Sequence, residues 1–201
     1  MSGQAADERF WWENLNEQEI DDNTAGYPPY DVDEVARRIL NAIGPVSGFA
    51  RLLDLGCGVG RLTERIARMV TPEVEIVGVD ISRTMIDKAR RWPDNNVLYR
   101  VGDGRTLPEQ AGQYDGVWSV AMFQHIPHEA KMVYLADVYD HLRPGGVFLF
   151  TVAVGDEDMF LNHQLTDTQL DEMLSWMSVI FDTVTRHPPD INHWTWIEAH
   201  K

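Results

Sequence analysis

Gly56, Gly58 and Gly60 lie between an apolar run, Leu52-Leu53-Asp54-Leu55, and a helix-like stretch that opens with Arg61-Leu62. Glycines at such a junction let the backbone turn tightly and let a ligand rest against bare main chain. The N–H groups that open the following helix carry a partial positive charge. Together these features suit a nucleotide-like cofactor. The spacing is Gly-x-Gly-x-Gly, so the dinucleotide fingerprint G-x-G-x-x-G is absent. Asp54 stands two residues before the first glycine, where a carboxylate suits an amino or sulfonium charge better than a pyrophosphate. Asp80 closes a second apolar run, VGVD. A carboxylate there can accept both hydroxyls of a ribose, in NAD as in other adenosine ligands, or it can cap the helix that follows.

Other residues carry chemistry with two readings each. His125 follows a fourth apolar run; imidazole titrates near neutrality, so it can act as a general base or simply fix its loop by hydrogen bonding. Asp103 sits between Gly102 and Gly104, the place of a turn aspartate. Cys57 reads as a small, polarizable, buried side chain, not as a nucleophile. His128 reads as an exposed residue at a helix start. His187, His193 and His200 have no compact ligand spacing, so no metal site is expected. Tyr27 and Tyr30, with Trp11 and Trp12, either close over the active site or anchor the N-terminal segment to the core.

The elements that position these groups follow from periodicity. Val32, Val35, Ala36, Ile39, Leu40 and Ile43 have helical spacing, with Gly44 as a stop. Strands are expected at 50–55, 74–79, 97–101, 114–120 and 147–154, the last entered through Pro144-Gly145-Gly146. Helices are expected with stripes at Leu62, Ile66, Met69 and Val70; at Met85, Ile86 and Ala89 behind a Ser82 cap; and at Met132, Leu135, Ala136, Tyr139 and Leu142. Thr166 and Gln169 form a capping-box pattern before Leu170, Met173, Leu174 and Met177. Alternating strands and helices imply crossover units and a mostly parallel sheet. The final segments, 179–185 and 193–200, are joined too briefly for a crossover helix, so they should form an antiparallel hairpin.

Composition bounds the rest. The 201 residues fit one domain with a sizeable core. The formal charge is −15, which repels a phosphate backbone and argues against nucleic-acid substrates. Ten acids and one base fall within residues 1–34. This acidic arm is either a solvated segment or a cap favouring a cationic or amine-bearing substrate. Charges interrupt every apolar run before it reaches membrane-spanning length, and the acidic N-terminus is no leader peptide. A single cysteine excludes an internal disulfide and suits the cytoplasm.

The series LLDLGCGVG, VGVD, GDGRTLP, YDGVWSVAMFQHIP and LRPGGVFLFT resembles, in order and spacing, the motifs of class I S-adenosylmethionine-dependent methyltransferases. The resemblance covers roughly residue 32 to the C-terminus. It implies a Rossmann-like, doubly wound α/β fold with a seven-stranded sheet, parallel except for a reversed last strand, and helices on both faces. Residues 31–201 would form the methyltransferase domain and residues 1–30 an acidic arm or lid. S-adenosylmethionine would be the cofactor and S-adenosylhomocysteine its product. Asp54, Gly56, Cys57 and Gly58 would surround the methionine moiety, Gly60 would also contact the cofactor, and Asp80 would hold the ribose. Ile81 and Met85 would lie against the adenine, with Gly102, Asp103 and Gly104 at its amino group. Ser119, Val120 and Gln124 would complete the cofactor shell, and the segment from Met122 to His125 would face the methyl group. His125, Tyr27 and Tyr30 are the candidate catalytic residues. The expected activity is methyl transfer to a small-molecule O, N or C acceptor by a monomer or homodimer, without nucleic-acid or membrane partners. The alternatives are a protein or peptide methyltransferase, a non-catalytic cofactor-binding subunit and, more remotely, a nicotinamide oxidoreductase.

Overall fold

The computed structural model describes residues 13–14, 30–46, 48–92, 95–107, 113–155, 164–190 and 193–201. Strands alternate side chains between the two faces of a sheet. In β1 (Arg51–Leu55), Leu52 packs on one face and Leu53 with Leu55 on the other. Asp54, two residues after Leu52, therefore shares the Leu52 face.

Helices α1 (Val32–Ile43) and α2 (Arg61–Ala67) cover that face with Val35, Ile39, Leu62 and Ile66, which meet Trp118 and Trp196 from the sheet. Helices α4 (His128–His141) and α5 (Asp167–Ile180) cover the opposite face with Leu135, Val138, Leu170 and Met173. Helix α3 (Arg83–Ala89) buries Met85, Ile86 and Ala89 beside β2 (Glu75–Asp80) and β3 (Val97–Val101).

The helix boundaries come from local chemistry. The Asp31 carboxylate accepts from the N–H groups of Asp33 and Glu34 at the start of α1, and α1 stops at Gly44. The Ser82 hydroxyl accepts from Met85 at 3.3 Å. Thr166 and Gln169 form the reciprocal capping box expected for α5.

The remaining strands are β4 (Tyr114–Ser119), β5 (Leu142–Ala153), β6 (Thr183–Arg186) and β7 (Trp194–His200). Their order in the sheet is β3-β2-β1-β4-β5-β7-β6. Strands β1 to β5 pair in parallel, and β7 runs antiparallel to both β5 and β6. The Rossmann-like sheet with a reversed seventh strand is thus as the sequence predicts. The winding reverses between β1 and β4, which opens a crevice at the carboxyl ends of the parallel strands.

Three boundaries differ from expectation. Helix α5 continues through Ile180, so β6 begins only at Thr183 instead of 179; the Met177 carbonyl, by accepting from Phe181, carries the helical ladder past the expected start. Helix α2 ends at Ala67, which leaves Met69 beyond it and 37% exposed. Strand β5 already starts at Leu142, with a register shift opposite Tyr114–Gly116 that absorbs Pro144-Gly145-Gly146.

Candidate active site

Parallel pairing brings the tips of β1, β2, β3 and β4 to one edge of the sheet. The glycine loop after β1 is tied to β2: the N–H groups of Gly56 and Cys57 both donate to the Val79 carbonyl, at 2.8 and 2.9 Å. Gly56 has φ +80°, and a Cβ there would lie 2.4 Å from Met122 Cγ. Gly60 has φ +78°, and its Cβ would lie 2.5 Å from the Tyr99 hydroxyl. Both positions need glycine on conformational and steric grounds. Trp92, which the sequence reading did not single out, donates its indole N–H to the Val59 carbonyl at 3.0 Å and props the loop from the side of α3.

Asp80 closes β2 and joins the two loops. Its carboxylate accepts from the Gly58 N–H at 2.9 Å and the Ser82 N–H at 2.8 Å. Burial pushes its pKa up, against the opposing pull of these N–H groups. Gly102 donates back to the Asp80 carbonyl at 2.8 Å, and the Ile81 side chain lies tight against Gly104. The loops after β2 and β3 therefore share one wall. Met85 is 1% exposed beneath that wall. Asp103 is exposed and builds its own turn: one carboxylate oxygen accepts from the N–H groups of Arg105 and Thr106, the other from the Thr106 hydroxyl at 3.1 Å. Slight burial raises its pKa, but these donors outweigh it and hold it below the usual value.

Asp54 is 2% exposed and accepts from the Thr63 hydroxyl at 2.6 Å. Burial pushes its pKa up to about 7; Thr63 and the nearby Trp118 indole pull it down, and the Asp80 charge adds to the rise. The Trp118 N–H itself completes no hydrogen bond among the described residues. Burial, reinforced by Asp80 and Asp54, also drives the Cys57 thiol well up. Its surroundings therefore disfavour a thiolate.

The folded chain therefore favours protonated Asp54, whereas the unfolded chain ionises near 3.8. As pH rises between those values the unfolded chain loses its proton first, so stability falls across that window and levels off above about 7. Asp54→Asn has no such proton to lose. Its stability should gain on the wild type as pH rises, by about 2.5 kcal/mol between pH about 5 and about 8. Urea unfolding of both proteins at the two pH values checks this; a constant difference would contradict it.

The tip of β4 forms the remaining wall. The Ser119 hydroxyl donates to the Leu55 carbonyl at 2.8 Å and locks β4 to β1. Val120 packs on the α1/α2 side. Ala121 takes φ +58° and donates its N–H to the Thr151 hydroxyl at 2.8 Å. Strained backbone of this kind concentrates at functional sites. Phe123–His125 form a single 3-10 turn, anchored by Phe123, whose ring centroid is 4.6 Å from that of Phe150. The His125 N–H donates to the Met122 carbonyl. The Gln124 Oε1 is buried without a hydrogen-bond partner among the described residues.

Tyr30 stands at the entry to α1, its ring 5.5 Å from that of Trp194. Burial raises its phenol pKa, with the Arg61 charge opposing and the Asp54 charge adding. Tyr27, Trp11 and Trp12 lie outside the described residues, and His128 opens α4. His187 and His200 both face Glu198, at 3.1 and 2.8 Å. Among the described residues no group of His, Cys, Asp or Glu is arranged to hold a metal. No helix among them is long and apolar enough to cross a membrane.

The fold is that of a Rossmann-like, doubly wound α/β protein with a reversed seventh strand. Residues 52–146 match the family model described as a methyltransferase domain. The chain is 31% identical to trans-aconitate 2-methyltransferase of Deinococcus radiodurans over 142 residues, covering 71% of this chain and 52% of that protein. It is 29% identical to 27-O-demethylrifamycin SV methyltransferase of Amycolatopsis mediterranei, covering 74% and 53%. A solved S-adenosylmethionine-dependent methyltransferase from Aquifex aeolicus superposes with TM-score 0.70 at 14% identity, over 93% of this chain and 99% of that one. The chain belongs to the class I S-adenosylmethionine-dependent methyltransferases. It spans about half the length of the curated relatives it matches.

The residues present fit the family's cofactor. The loop is bare where a Cβ would collide, two carboxylates flank it, and a buried guanidinium nitrogen of Arg61 beside it lacks a partner among the described residues.

Proposed function

We propose that this chain transfers a methyl group from S-adenosylmethionine to an O, N or C atom of a small-molecule acceptor. The observation that carries the reading is the Asp80 carboxylate, which bridges the Gly58 and Ser82 N–H groups at the switch point of the sheet. The relatives named for trans-aconitate and 27-O-demethylrifamycin SV support a small acceptor.

In this reading Asp54, Gly56, Cys57, Gly58 and Gly60 surround the methionine part. Asp80 accepts from the ribose hydroxyls. Ile81, Met85 and the turn Gly102-Asp103-Gly104 border the adenine, with Asp103 accepting from its amino group. Val120 and Gln124 flank the sulfur end. The bound cofactor supplies a methyl group already activated by a sulfonium charge. The protein's work is then to align the acceptor with that group and keep water out. His125 stands at the β4 tip to take a proton from a hydroxyl acceptor; an amine needs no such base.

In this reading residues 1–30 act as an acidic lid, and Tyr27 and Tyr30 contact the acceptor. Support comes from the Thr84 hydroxyl in α3, which donates to the Glu13 carbonyl at 3.3 Å, one turn of chain from Asp80. The acidity of that arm favours a cationic or amine-bearing acceptor. A lone, buried cysteine supports a cytoplasmic setting.

Purified chain given methyl-labelled S-adenosylmethionine and a small-molecule extract should place label in small molecules. Label confined to added protein would replace this reading with protein methylation. Cofactor binding with no turnover on any fraction would leave a non-catalytic cofactor-binding subunit.

A further inference from the structure

Residues 102–107, which carry Asp103, belong to no helix or strand. The Asp103 carboxylate closes only the local bend, onto Arg105 and Thr106. A bend of this kind fixes its own shape and not its place in the molecule. Its two ends are fixed by different neighbours. At the first, the Gly102 N–H donates to the Asp80 carbonyl at 2.8 Å. At the second, the Leu107 N–H donates to Oδ2 of Asp137 at 2.6 Å.

Asp137 lies on α4, thirty residues further along the chain. It is itself braced. A main-chain carbonyl can only accept, so His141 carries a proton on Nδ1 and donates it to the Asp137 carbonyl at 2.7 Å. The same Nδ1 lies 3.3 Å from Asp137 Oδ1, and His141 is buried. One turn before Asp137 on α4, the buried Tyr134 brings its hydroxyl to 4.0 Å from where a Cβ on Gly104 would sit. One face of α4 thus backs the bend at Gly104 and at Leu107.

The bond to Leu107 is the strong kind, an N–H donated to a charged oxygen. The Leu107 side chain is buried in the same core cluster as Tyr134 and Val138. The residue cannot turn its N–H to water without leaving that core, so removal of the carboxylate forces the bend to shift. A ligand contact tolerates a displacement of only about 0.5 Å.

We propose that Asp137 is a positioning residue: by anchoring Leu107 it places the Asp103 carboxylate for the adenine amino group, and so sets the preference for adenine over hypoxanthine in the bound nucleoside. The proposal rests on the adenine contact assigned to Asp103 under the proposed function. Hypoxanthine presents a carbonyl oxygen where adenine has its amino group, and a carboxylate gains no hydrogen bond from it.

The test is calorimetric titration of the full chain with S-adenosylhomocysteine and with S-inosylhomocysteine, which carries hypoxanthine in place of adenine. The wild type should prefer S-adenosylhomocysteine by at least about 20-fold. Asp137→Ala should cut that preference to below about fivefold, almost wholly by weakening S-adenosylhomocysteine. Asp137→Asn keeps an acceptor oxygen for Leu107 and should restore most of the preference. Asp140→Ala removes the same charge from an exposed position on α4 and should leave it unchanged. Should Asp137→Ala fail to fold, Asp137→Glu, which keeps the charge but moves the oxygens outward by a methylene, should cut the preference at least about threefold. A folded Asp137→Ala or Asp137→Glu chain that weakens both ligands alike, or neither, overturns the proposal. So does an equal loss of preference in Asp140→Ala. A wild type that binds both ligands equally overturns the adenine contact of Asp103, and a wild type that binds neither overturns the cofactor assignment.

Discussion

Asp80→Asn should lower affinity for S-adenosylhomocysteine by at least about 100-fold while the chain stays folded. Hydrogen bonds to a charged acceptor contribute about 1.5–3 kcal/mol each, and two ribose hydroxyls would lose theirs together. The substitution also removes the charge that both flanking loops address: Gly58 donates to one oxygen and Ser82 to the other. An amide presents only one acceptor, so one of the two N–H groups would face another donor. The glycine loop and the start of α3 would then lose their common tie, and the ribose wall with it. Burial already works against the carboxylate's charge, so the neutral amide offsets part of the stability loss and the fold should survive. Calorimetry gives the affinity and thermal unfolding the stability. An affinity within about threefold of the wild type, in a folded chain, would remove the basis for ribose binding at this residue.

Gly56→Ala should be the most damaging single-methyl addition in the glycine loop. The new Cβ would lie 2.4 Å from Met122 Cγ and 2.6 Å from Met122 Cβ, on a backbone with φ +80°. Met122 Cβ is fixed close to its main chain, so relief requires the β4 tip itself to shift, not only a side chain. That tip already holds Ala121 at φ +58°. Backbone strain and overpacking together should cost about 2–4 kcal/mol. Cofactor affinity should fall as well, because both walls of the crevice move. Gly145→Ala is the control: its φ is also +80°, yet nothing lies within 4 Å of the added Cβ. Only the backbone penalty of about 1–2 kcal/mol remains there. Urea unfolding of the two variants separates the terms, and equal losses would show that the Met122 contact counts for nothing.

Much of this molecule is written in short-range pattern. Caps and stops are local chemistry, so Asp31 needs only Asp33 and Glu34, and Thr166 needs only Gln169. The glycine loop and Asp80 were legible because each sits at a strand end that periodicity marks. The reversed last strand followed from a connection too short for a crossover helix. Where local signals compete, the sequence was less clear. Residues 179–180 are apolar and fit a strand, yet the helical ladder of α5 runs on through them.

What only the tertiary structure decided are the meetings between distant segments and the environments they create. Tyr30, Asp54, Arg61 and Trp194 come from different elements. No spacing in the chain announces that Tyr30 packs against Trp194 and feels the charges of Arg61 and Asp54. Met122 against Gly56, and Trp92 on the Val59 carbonyl, are likewise products of packing. The raised pKa of Asp54 is a property of burial, which no single residue encodes. Local propensity acts through neighbours a few bonds away, whereas desolvation and charge act through space. The first can therefore be read along the chain, and the second exists only once the sheet has closed around it.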